Sequence, residues 1–336
     1  MANKEKMWAL LVHMGPWGGS GSNEMCGKMD WDDEAWDYIV EEAPKAGVNT
    51  IVLDICAGID FASHPEITLQ GAWTRSRLRK ELERCKEKGL TLIPKINLAT
   101  IHDVWLGPYH RMVSTPVYYQ VVNDLIKEAY ELFDHPEYIH VGMDEEDEKH
   151  ARAGHDLAVY RKGELYWHDL RFFVDCIKDT GAKPWMWSCP LFDHPEEYKE
   201  HFDADEVILS PWYYNAFRKE HWTPVSSREV YVTYYNEGEY KDMGIEYVEQ
   251  DPFLVNFRNV ALPLMKEGYN YVPCASVCNK CDYNTEDLME YFRDNAPDDQ
   301  IVGYITTTWK PTLIEHKDEV TAALKFFKEA KEKIYK

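Results

Sequence analysis

The sequence predicts an α/β fold, a single (β/α)8 barrel of the TIM type over residues 1–336 with long strand-to-helix loops. Three observations predict it. Short β-rich runs alternate eight times with amphipathic helical runs, no linker or low-complexity segment divides them, and the two kinds of connection differ in length. In such a barrel the long loops collect at the carboxyl ends of the strands, where these folds keep their functional sites.

Each element follows from its own stretch of sequence. Apolar and β-branched runs predict strands at 8–13, 50–55, 91–97, 138–143, 183–187, 206–210, 271–275 and 301–307. Apolar residues at helical spacing predict helices at 32–45, 75–88, 117–133, 164–179, 195–201, 253–266, 285–295 and from His316 onward. Helix-to-strand connections are short, as at 46–49 and 88–89, whereas strand-to-helix connections are long, as at 14–30 and 57–74. A ninth strand-like run, 229–235, is assigned to a long loop beside the sixth unit.

The charge balance limits the possible partners. Asp and Glu number 59 against 37 Lys and Arg, and the net charge of −22 disfavours nucleic acid and anionic membrane surfaces. No run of about 18 apolar residues is present, and the first six residues lack the apolar core of a secretory signal. We therefore expect a cytoplasmic protein whose partner is a small neutral or cationic ligand. The sequence does not indicate the oligomeric state.

Consecutive carboxylates end the fourth predicted strand, where residues 138–143 run directly into Asp144, Glu145 and Glu146. Neighbouring side chains of a strand point to opposite faces, so Asp144 and Glu145 can share one pocket only if the chain leaves the extended conformation there. Two carboxyls in different surroundings can have pKa values that are pushed apart, which lets one act as an acid while the other stays charged. A solvated acidic loop is the alternative interpretation, and spacing alone does not decide between them.

Aromatic residues are concentrated at the strand ends and in the long loops of this chain, which has 12 Trp and 22 Tyr. Flat rings with a polar tip suit the faces and hydroxyls of sugar rings, so aromatics combined with carboxylates indicate a carbohydrate site. Packing is the commoner role for any single aromatic residue. Ligand contact is favoured for Trp212, Tyr213 and Trp309, and Trp17 and Trp187 occupy similar positions.

Three stretches resemble glycoside hydrolase family 20, the β-N-acetylhexosaminidases. Residues 63–73 resemble the segment after the family's second strand, and residues 88–97 resemble its third strand. His140-Val141-Gly142-Met143-Asp144-Glu145 resembles the signature His-x-Gly-x-Asp-Glu. The resemblance implies a retaining, substrate-assisted glycosidase without a cofactor or metal. Glu145 would protonate the leaving oxygen, and Asp144 would hold the substrate's acetamide as it attacks the anomeric carbon.

The chain departs from the family's pattern at several sugar-binding positions. The first strand ends in His13 instead of an arginine, and Lys95 and Asn97 replace two acids of the third strand. Residues 303–309 resemble the strand that supplies a tryptophan floor, but Lys310 follows where a sugar-binding glutamate is expected. The chemistry can be retained while the sugar differs, so the acid pair is better supported than the N-acetylhexosamine.

Other polar residues are predicted at the same end of the barrel. His102 and Asp103 either bind sugar hydroxyls or join two loops, and Asp54 either reaches the pocket or points into the core. His140 lies an even step before Asp144, where it can orient that carboxylate or be a core histidine. With Asp144 and Glu145 as catalytic residues, the predicted substrate-binding residues are His13, Trp17, Asp54, His102, Asp103, His140, Glu146, Trp187, Trp212, Tyr213 and Trp309.

The cysteines give little indication of a metal site. The eight cysteines are scattered, as expected of reduced thiols, and only Cys274, Cys278 and Cys281 cluster. That spacing resembles a zinc site, but a closed site needs a fourth ligand.

Two rival functions remain. A metal-dependent sugar isomerase would need carboxylates at several strand ends. A carbohydrate-binding barrel without turnover is the non-enzymatic alternative.

Overall fold

Parallel strands and helices alternate along the chain in the computed structural model, which describes residues 5–15, 27–146, 161–221 and 257–336. The strands are β1 (Met7–His13), β2 (Thr50–Asp54), β3 (Thr91–Lys95), β4 (Tyr138–His140), β5 (Lys183–Trp187), β6 (Ile208–Ser210), β7 (Asn270–Tyr271), β8 (Cys274–Ser276) and β9 (Gly303–Thr307). The helices are α1 (Asp33–Glu42), α2 (Arg75–Glu87), α3 (Pro116–Leu132), α4 (Glu164–Thr180), α5 (Cys189–Asp193), α6 (Pro195–His201), α7 (Leu262–Leu264), α8 (Asn284–Asn295) and α9 (Lys317–Ile334).

The strands form one parallel sheet in the order β7-β6-β5-β4-β3-β2-β1-β9-β8. β7 pairs with β6 and β8 pairs with β9, so these two short segments together occupy one strand position. The amide of Cys274 donates to the carbonyl of Pro211 at 2.8 Å, and that of Val302 donates to the carbonyl of Tyr271 at 2.9 Å. These bonds join the two edges of the sheet, and the predicted (β/α)8 barrel is confirmed.

Alternation along the strands separates two apolar cores. In β1, Met7, Ala9 and Leu11 belong to the cluster inside the barrel, whereas Trp8 and Leu10 belong to the larger cluster between sheet and helices. Strands buried on both faces have continuous apolar sequences, which is why this strand shows no polar alternation. Polar residues that include His13, Asp54, Lys95 and His140 lie at the carboxyl ends of the strands, at the end of the barrel that we call the mouth.

Some element boundaries differ from the predictions for local reasons. β4 ends at His140 because Gly142 and Met143 adopt positive φ angles of 75° and 69°. The seventh strand position is divided before Pro273, which has no N–H to donate to the ladder. Helix α5 was not predicted, and the run at 229–235 lies outside the described residues.

Threonine caps explain where two of the long helices begin. Thr74 Oγ1 accepts the amide of Arg77 at the start of α2, and Thr115 Oγ1 accepts the amide of Tyr118 at the start of α3. Within the part of the chain that the structure describes, no helix has both the length and the apolar content needed to span a bilayer.

Candidate active site

The carboxylates of Asp144 and Glu145 lie together beside one histidine, His102. Positive φ angles at Gly142, Met143 and Glu145 (58° at Glu145) take the chain out of the extended conformation directly after β4. As a result, His102 Nε2 lies 3.5 Å from Asp144 Oδ2 and 3.2 Å from Glu145 Oε2. The geometric condition that the sequence set for an acid pair is met.

Gly142 makes this turn possible. A Cβ atom at Gly142 would overlap Oδ1 of Asn97, and the residue's φ of 75° is one that L side chains rarely adopt. The glycine of the His-x-Gly-x-Asp-Glu stretch therefore allows the loop after β3 to approach the loop after β4. Asn97 uses that proximity, because its Nδ2 donates a 3.0 Å hydrogen bond to Oδ1 of Asp144.

His102 carries a positive charge between the two carboxylates. Burial alone would lower its pKa, but the charges of Asp144 and Glu145 outweigh that effect and raise the pKa of His102 to about 9. At neutral pH the imidazolium therefore balances part of the negative charge of the pair. The Glu145 side chain is 27% exposed and the Asp144 side chain 13%, so Glu145 is the carboxylate more open to the mouth.

A buried ion pair lies beneath the acid pair. Lys95 Nζ contacts Asp54 Oδ2, and the Lys95 and Asp54 side chains are 1% and 9% exposed. His13 Nδ1 lies 3.4 Å from the same Asp54 oxygen. Burial opposes ionisation of Asp54, but the charge of Lys95 overcomes it and holds the pKa of that carboxyl below its usual range. Asp54 is thus engaged with Lys95 and His13 inside the barrel.

His140 is a neutral histidine of the barrel interior. Its Nδ1 accepts the amide of Gly142 at 3.0 Å, so the ring proton is on Nε2. Burial, helped by the nearby charge of Lys95, lowers the pKa of His140 well below its usual value. The contact with the Gly142 amide means that His140 supports the turn before Asp144 rather than touching the carboxylate. Its Nε2 and the Nε1 of Trp187 have no hydrogen-bond partner among the described residues.

Aromatic rings form one wall of the mouth. Trp309 lies with its ring centroid 5.4 Å from His13, 5.7 Å from Trp187 and 6.1 Å from Tyr214. Trp212 stacks on Tyr214 at 5.3 Å with an interplanar angle of 19°. The half-buried rings of Trp212, Tyr214 and Trp309 present a surface suited to the apolar face of a sugar ring.

Three of the predicted site residues have buried side chains. Tyr213 is 3% exposed and packs on Phe217 at 4.9 Å in the outer core. Asp103 is 1% exposed, and burial raises its pKa well above the usual range. The Glu146 carboxylate is bound by Arg161. The predicted ligand residue Trp17 lies outside the described residues.

The sequence analysis missed Tyr214 and Arg161 and did not assign Asn97 to the site. Tyr214 could have been found, because it is an even step from Trp212 and therefore shares its side of an extended segment. Asn97 is likewise an even step from Lys95. No signal in the sequence pointed to Arg161, which lies 15 residues after Glu146 and shortly before α4.

The acid pair and His102 also have the composition of a metal-binding group. Their ligand atoms lie within 4.8 Å of one another, as do those of His221, Glu286 and Asp287. In the first group His102 lies within 3.5 Å of both carboxylates, and in the second Arg218 pairs with Glu286 and Asp287. Among the described residues, none of the cysteines belongs to such a group.

Comparison with known proteins supports the fold. No family model matches the chain, and no curated protein matches it. Several solved structures are similar to this chain in fold. An exo-β-N-acetylglucosaminidase of glycoside hydrolase family 20 from Vibrio harveyi, in complex with N-acetylglucosamine, superposes with a TM-score of 0.60 at 13% identity, covering 97% of this chain and 54% of that one.

Two further structures give similar values. The β-N-acetylhexosaminidase from Bacteroides fragilis NCTC 9343 superposes with a TM-score of 0.59 at 12% identity, covering 96% of this chain and 65% of that one. A mutant β-hexosaminidase from Streptomyces plicatus, in complex with its product GlcNAc, has a TM-score of 0.56 at 12% identity, with coverages of 96% and 63%. This chain therefore spans a little more than half to about two thirds of those proteins. The predicted resemblance to family 20 is confirmed at the level of the fold.

Proposed function

We propose that the protein is a glycoside hydrolase that releases a terminal β-linked 2-acetamido sugar by a retaining, substrate-assisted mechanism. The observation that supports the proposal is that carboxylate oxygens of Asp144 and Glu145 lie 3.5 and 3.2 Å from His102 Nε2. The pocket lies at the carboxyl ends of the barrel strands and next to an aromatic wall. The same fold occurs in solved β-N-acetylhexosaminidases.

Glu145 acts as the general acid. Its side chain is the more exposed of the pair, so it can reach the oxygen that links the sugar to its leaving group. A sugar ring bound over the pair excludes water and disfavours two separate charges, so the proton of His102, whose Nε2 lies 3.2 Å away, can pass to the Glu145 carboxylate. After the leaving group departs, the same residue takes a proton from the attacking water.

Asp144 holds the substrate's acetamide. Asn97 fixes its carboxylate through Oδ1, which leaves Oδ2 on the side of His102 and the pocket. A carboxylate held in this way accepts the N–H of the acetamide, orients the carbonyl oxygen towards the anomeric carbon and stabilises the positive charge of the cyclic intermediate.

The nucleophile comes from the substrate because the described strand ends offer no suitable second carboxylate. A double displacement needs one about 5 to 5.5 Å from the acid, on the opposite face of the sugar. Asp54 is the nearest candidate by position, but it is buried and paired with Lys95. The later strands end in or beside Ser188, Ser210 and Ser276.

The aromatic wall of the mouth provides sugar contacts. The rings of Trp212, Tyr214 and Trp309 pack on the apolar face of the sugar. His140 and Trp187 are fully buried, and Trp187 packs on Trp309 at 5.7 Å and on His140 at 4.8 Å, so these two rings support the wall from the barrel interior without touching the sugar.

Hydrolysis of chromogenic glycosides tests the proposal. We expect turnover of 4-nitrophenyl N-acetyl-β-glucosaminide or the corresponding galactosaminide, insensitive to a chelator, with the β-anomer of the sugar released first. Turnover abolished by a chelator and restored by a divalent cation would favour a metal-dependent enzyme instead. Sugar binding without turnover of any glycoside would leave a carbohydrate-binding barrel.

A further inference from the structure

Glu146, the residue that follows the acid pair, makes contacts that differ from those of its two neighbours. Its side chain is 1% exposed, and both carboxylate oxygens are used within the protein. Oε1 accepts Nε of Arg161 at 2.7 Å and the amide of Arg161 at 3.1 Å. Oε2 accepts Nη2 of Arg161 at 2.6 Å and the amide of Thr100 at 3.0 Å. Four donors therefore fix this carboxylate.

These contacts connect two loops. Thr100 lies in the loop after β3, two residues before His102, and Glu146 lies in the loop after β4, next to Glu145. Arg161 Nη2 also donates to the carbonyl of Leu98 at 2.8 Å, so the guanidinium binds both loops at once. The hydrogen bonds of Glu146 and Arg161 therefore join the loop that carries His102 to the loop that carries the acid pair.

The connection is anchored to the helices as well. Arg161 Nη1 lies 3.3 Å from Oδ2 of Asp169, a residue of α4 that is fully buried. Asp169 Oδ2 in turn accepts the hydroxyl of Ser114 at 2.6 Å, and the Arg161 guanidinium lies over the ring of Phe173, 5.2 Å from its centroid. A planar guanidinium that is bound on several sides holds the two loops in fixed positions.

We infer that Glu146 and Arg161 form a clamp that positions His102 against Asp144 and Glu145, which makes Glu146 a positioning residue for the proton chemistry of the pocket. The effect of the clamp on catalysis rests on the proposed function, whereas the contacts that form the clamp do not. Glu146 was expected from the sequence to contact sugar; its engagement by four protein donors assigns it instead to the support of the site.

A test of the clamp changes the position of the residue 146 carboxylate without changing its charge. Glu146→Asp keeps the negative charge, but its carboxylate is one methylene shorter and cannot reach both Arg161 and the Thr100 amide. Glu206→Asp is the matched control, because Glu206 is also paired with an arginine, Arg171, close to the amino end of β6 and away from the mouth. Both variants are checked for folding by calorimetry before use.

The first measurement needs no turnover. In protein labelled at histidine, the titration of the His102 ring is followed by NMR. The charged groups that influence this ring are Asp144, Glu145 and Lys95, and the neighbouring Asp103 also interacts with it. We expect a midpoint near 9 in the parent and in Glu206→Asp, and a midpoint at least one pH unit lower in Glu146→Asp, because the imidazolium has moved away from the carboxylates.

The second measurement is kinetic. We expect Glu146→Asp to lower kcat at least tenfold on a substrate with a poor leaving group, to lower it less on an activated aryl glycoside, and to change KM little. An unchanged His102 titration in Glu146→Asp, or an equal shift in Glu206→Asp, would overturn the inference. An enzyme that hydrolyses no glycoside would refute the proposed function, while the titration would still decide on the clamp.

Discussion

The side-chain amide of Asn97 donates a 3.0 Å hydrogen bond to Oδ1 of Asp144, across the gap between the loops that follow β3 and β4. This bond fixes the rotation of the carboxylate, so the remaining oxygen lies on the side of His102, 3.5 Å from its Nε2. A carboxylate fixed by one neighbour and facing a cation is placed to hold a ligand group. Its adjacency to Glu145 makes attack from the opposite face of a sugar geometrically unsuitable.

Asp144→Asn should lose about 100-fold or more in kcat/KM on 2-acetamido glycosides, because the amide cannot stabilise the charge of the cyclic intermediate. A thiazoline mimic of that intermediate should inhibit the parent protein at micromolar concentration or below, since intermediate-like ligands bind more tightly than substrate. Steady-state kinetics check both. Preferred turnover of glycosides with a plain 2-hydroxyl, together with no thiazoline inhibition, would exclude substrate assistance.

Glu145→Gln should lose about 100-fold or more in kcat on substrates with poor leaving groups, which is the usual contribution of a general acid. Activated aryl glycosides should lose less, because their leaving groups depart with little protonation. The comparison uses one sugar with a series of leaving groups. An equal loss on all of them, in a variant that melts like the parent, would indicate a role in binding.

Trp309→Ala should weaken sugar binding while shifting Tm by only a few degrees, because the Trp309 ring is half-buried and faces the mouth. Truncation of a core tryptophan would instead cost about 3 to 5 kcal/mol of the free energy of unfolding. Calorimetry and isothermal titration with a monosaccharide measure the two effects. A large fall in Tm with unchanged affinity in the folded protein would assign Trp309 to the core.

Gly142→Ala should be strongly destabilising and should impair turnover, because its methyl group would collide with Asn97 Oδ1 and separate that residue from Asp144. Gly71→Ala is the matched control. Gly71 has a similar positive φ of 88°, but nothing lies within 4 Å of the position that a methyl group would take there. The Gly71→Ala control should therefore lower the free energy of unfolding by only about 1 to 2 kcal/mol, which is the cost of a left-handed backbone at a residue with a side chain. Equal costs in urea unfolding would show that the contact with Asn97 is unimportant.

His102 should make the stability depend on pH in the neutral to alkaline range. Its folded-state pKa is raised to about 9, mainly by Asp144 and Glu145 against the opposing effect of burial. A raised pKa stabilises the folded state fully below the unfolded value of about 6.5, and that contribution is lost as the pH rises to about 9. The free energy of unfolding of the parent minus that of His102→Asn should thus be constant below about pH 6 and decrease up to about pH 9. A difference that does not vary with pH would contradict this assignment.

The sequence predicted the barrel well because each strand and helix has its own local pattern. The acid pair was predicted for the same reason: Asp144 and Glu145 directly follow a strand, and strand ends meet at one face of a barrel. Tyr213 was a poorer choice than Tyr214, because a shift of one residue moves a side chain to the opposite face. The clamp of Glu146 and Arg161 depends on contacts with Leu98 and Thr100 in the loop after β3, and local patterns carry no information about such contacts.

The aromatic wall gives the protein a built-in optical signal at its mouth. Trp212 and Tyr214 are stacked at 5.3 Å, and Trp309 lies 6.1 Å from Tyr214 and 5.7 Å from Trp187. Electronic transitions of rings at such distances can couple, so we expect these residues to contribute to the near-ultraviolet circular dichroism spectrum. A sugar that displaces water from Trp212 and Trp309 should change both that spectrum and the fluorescence emission. Ligand libraries can therefore be screened on the unlabelled protein, before any cleavable substrate is known.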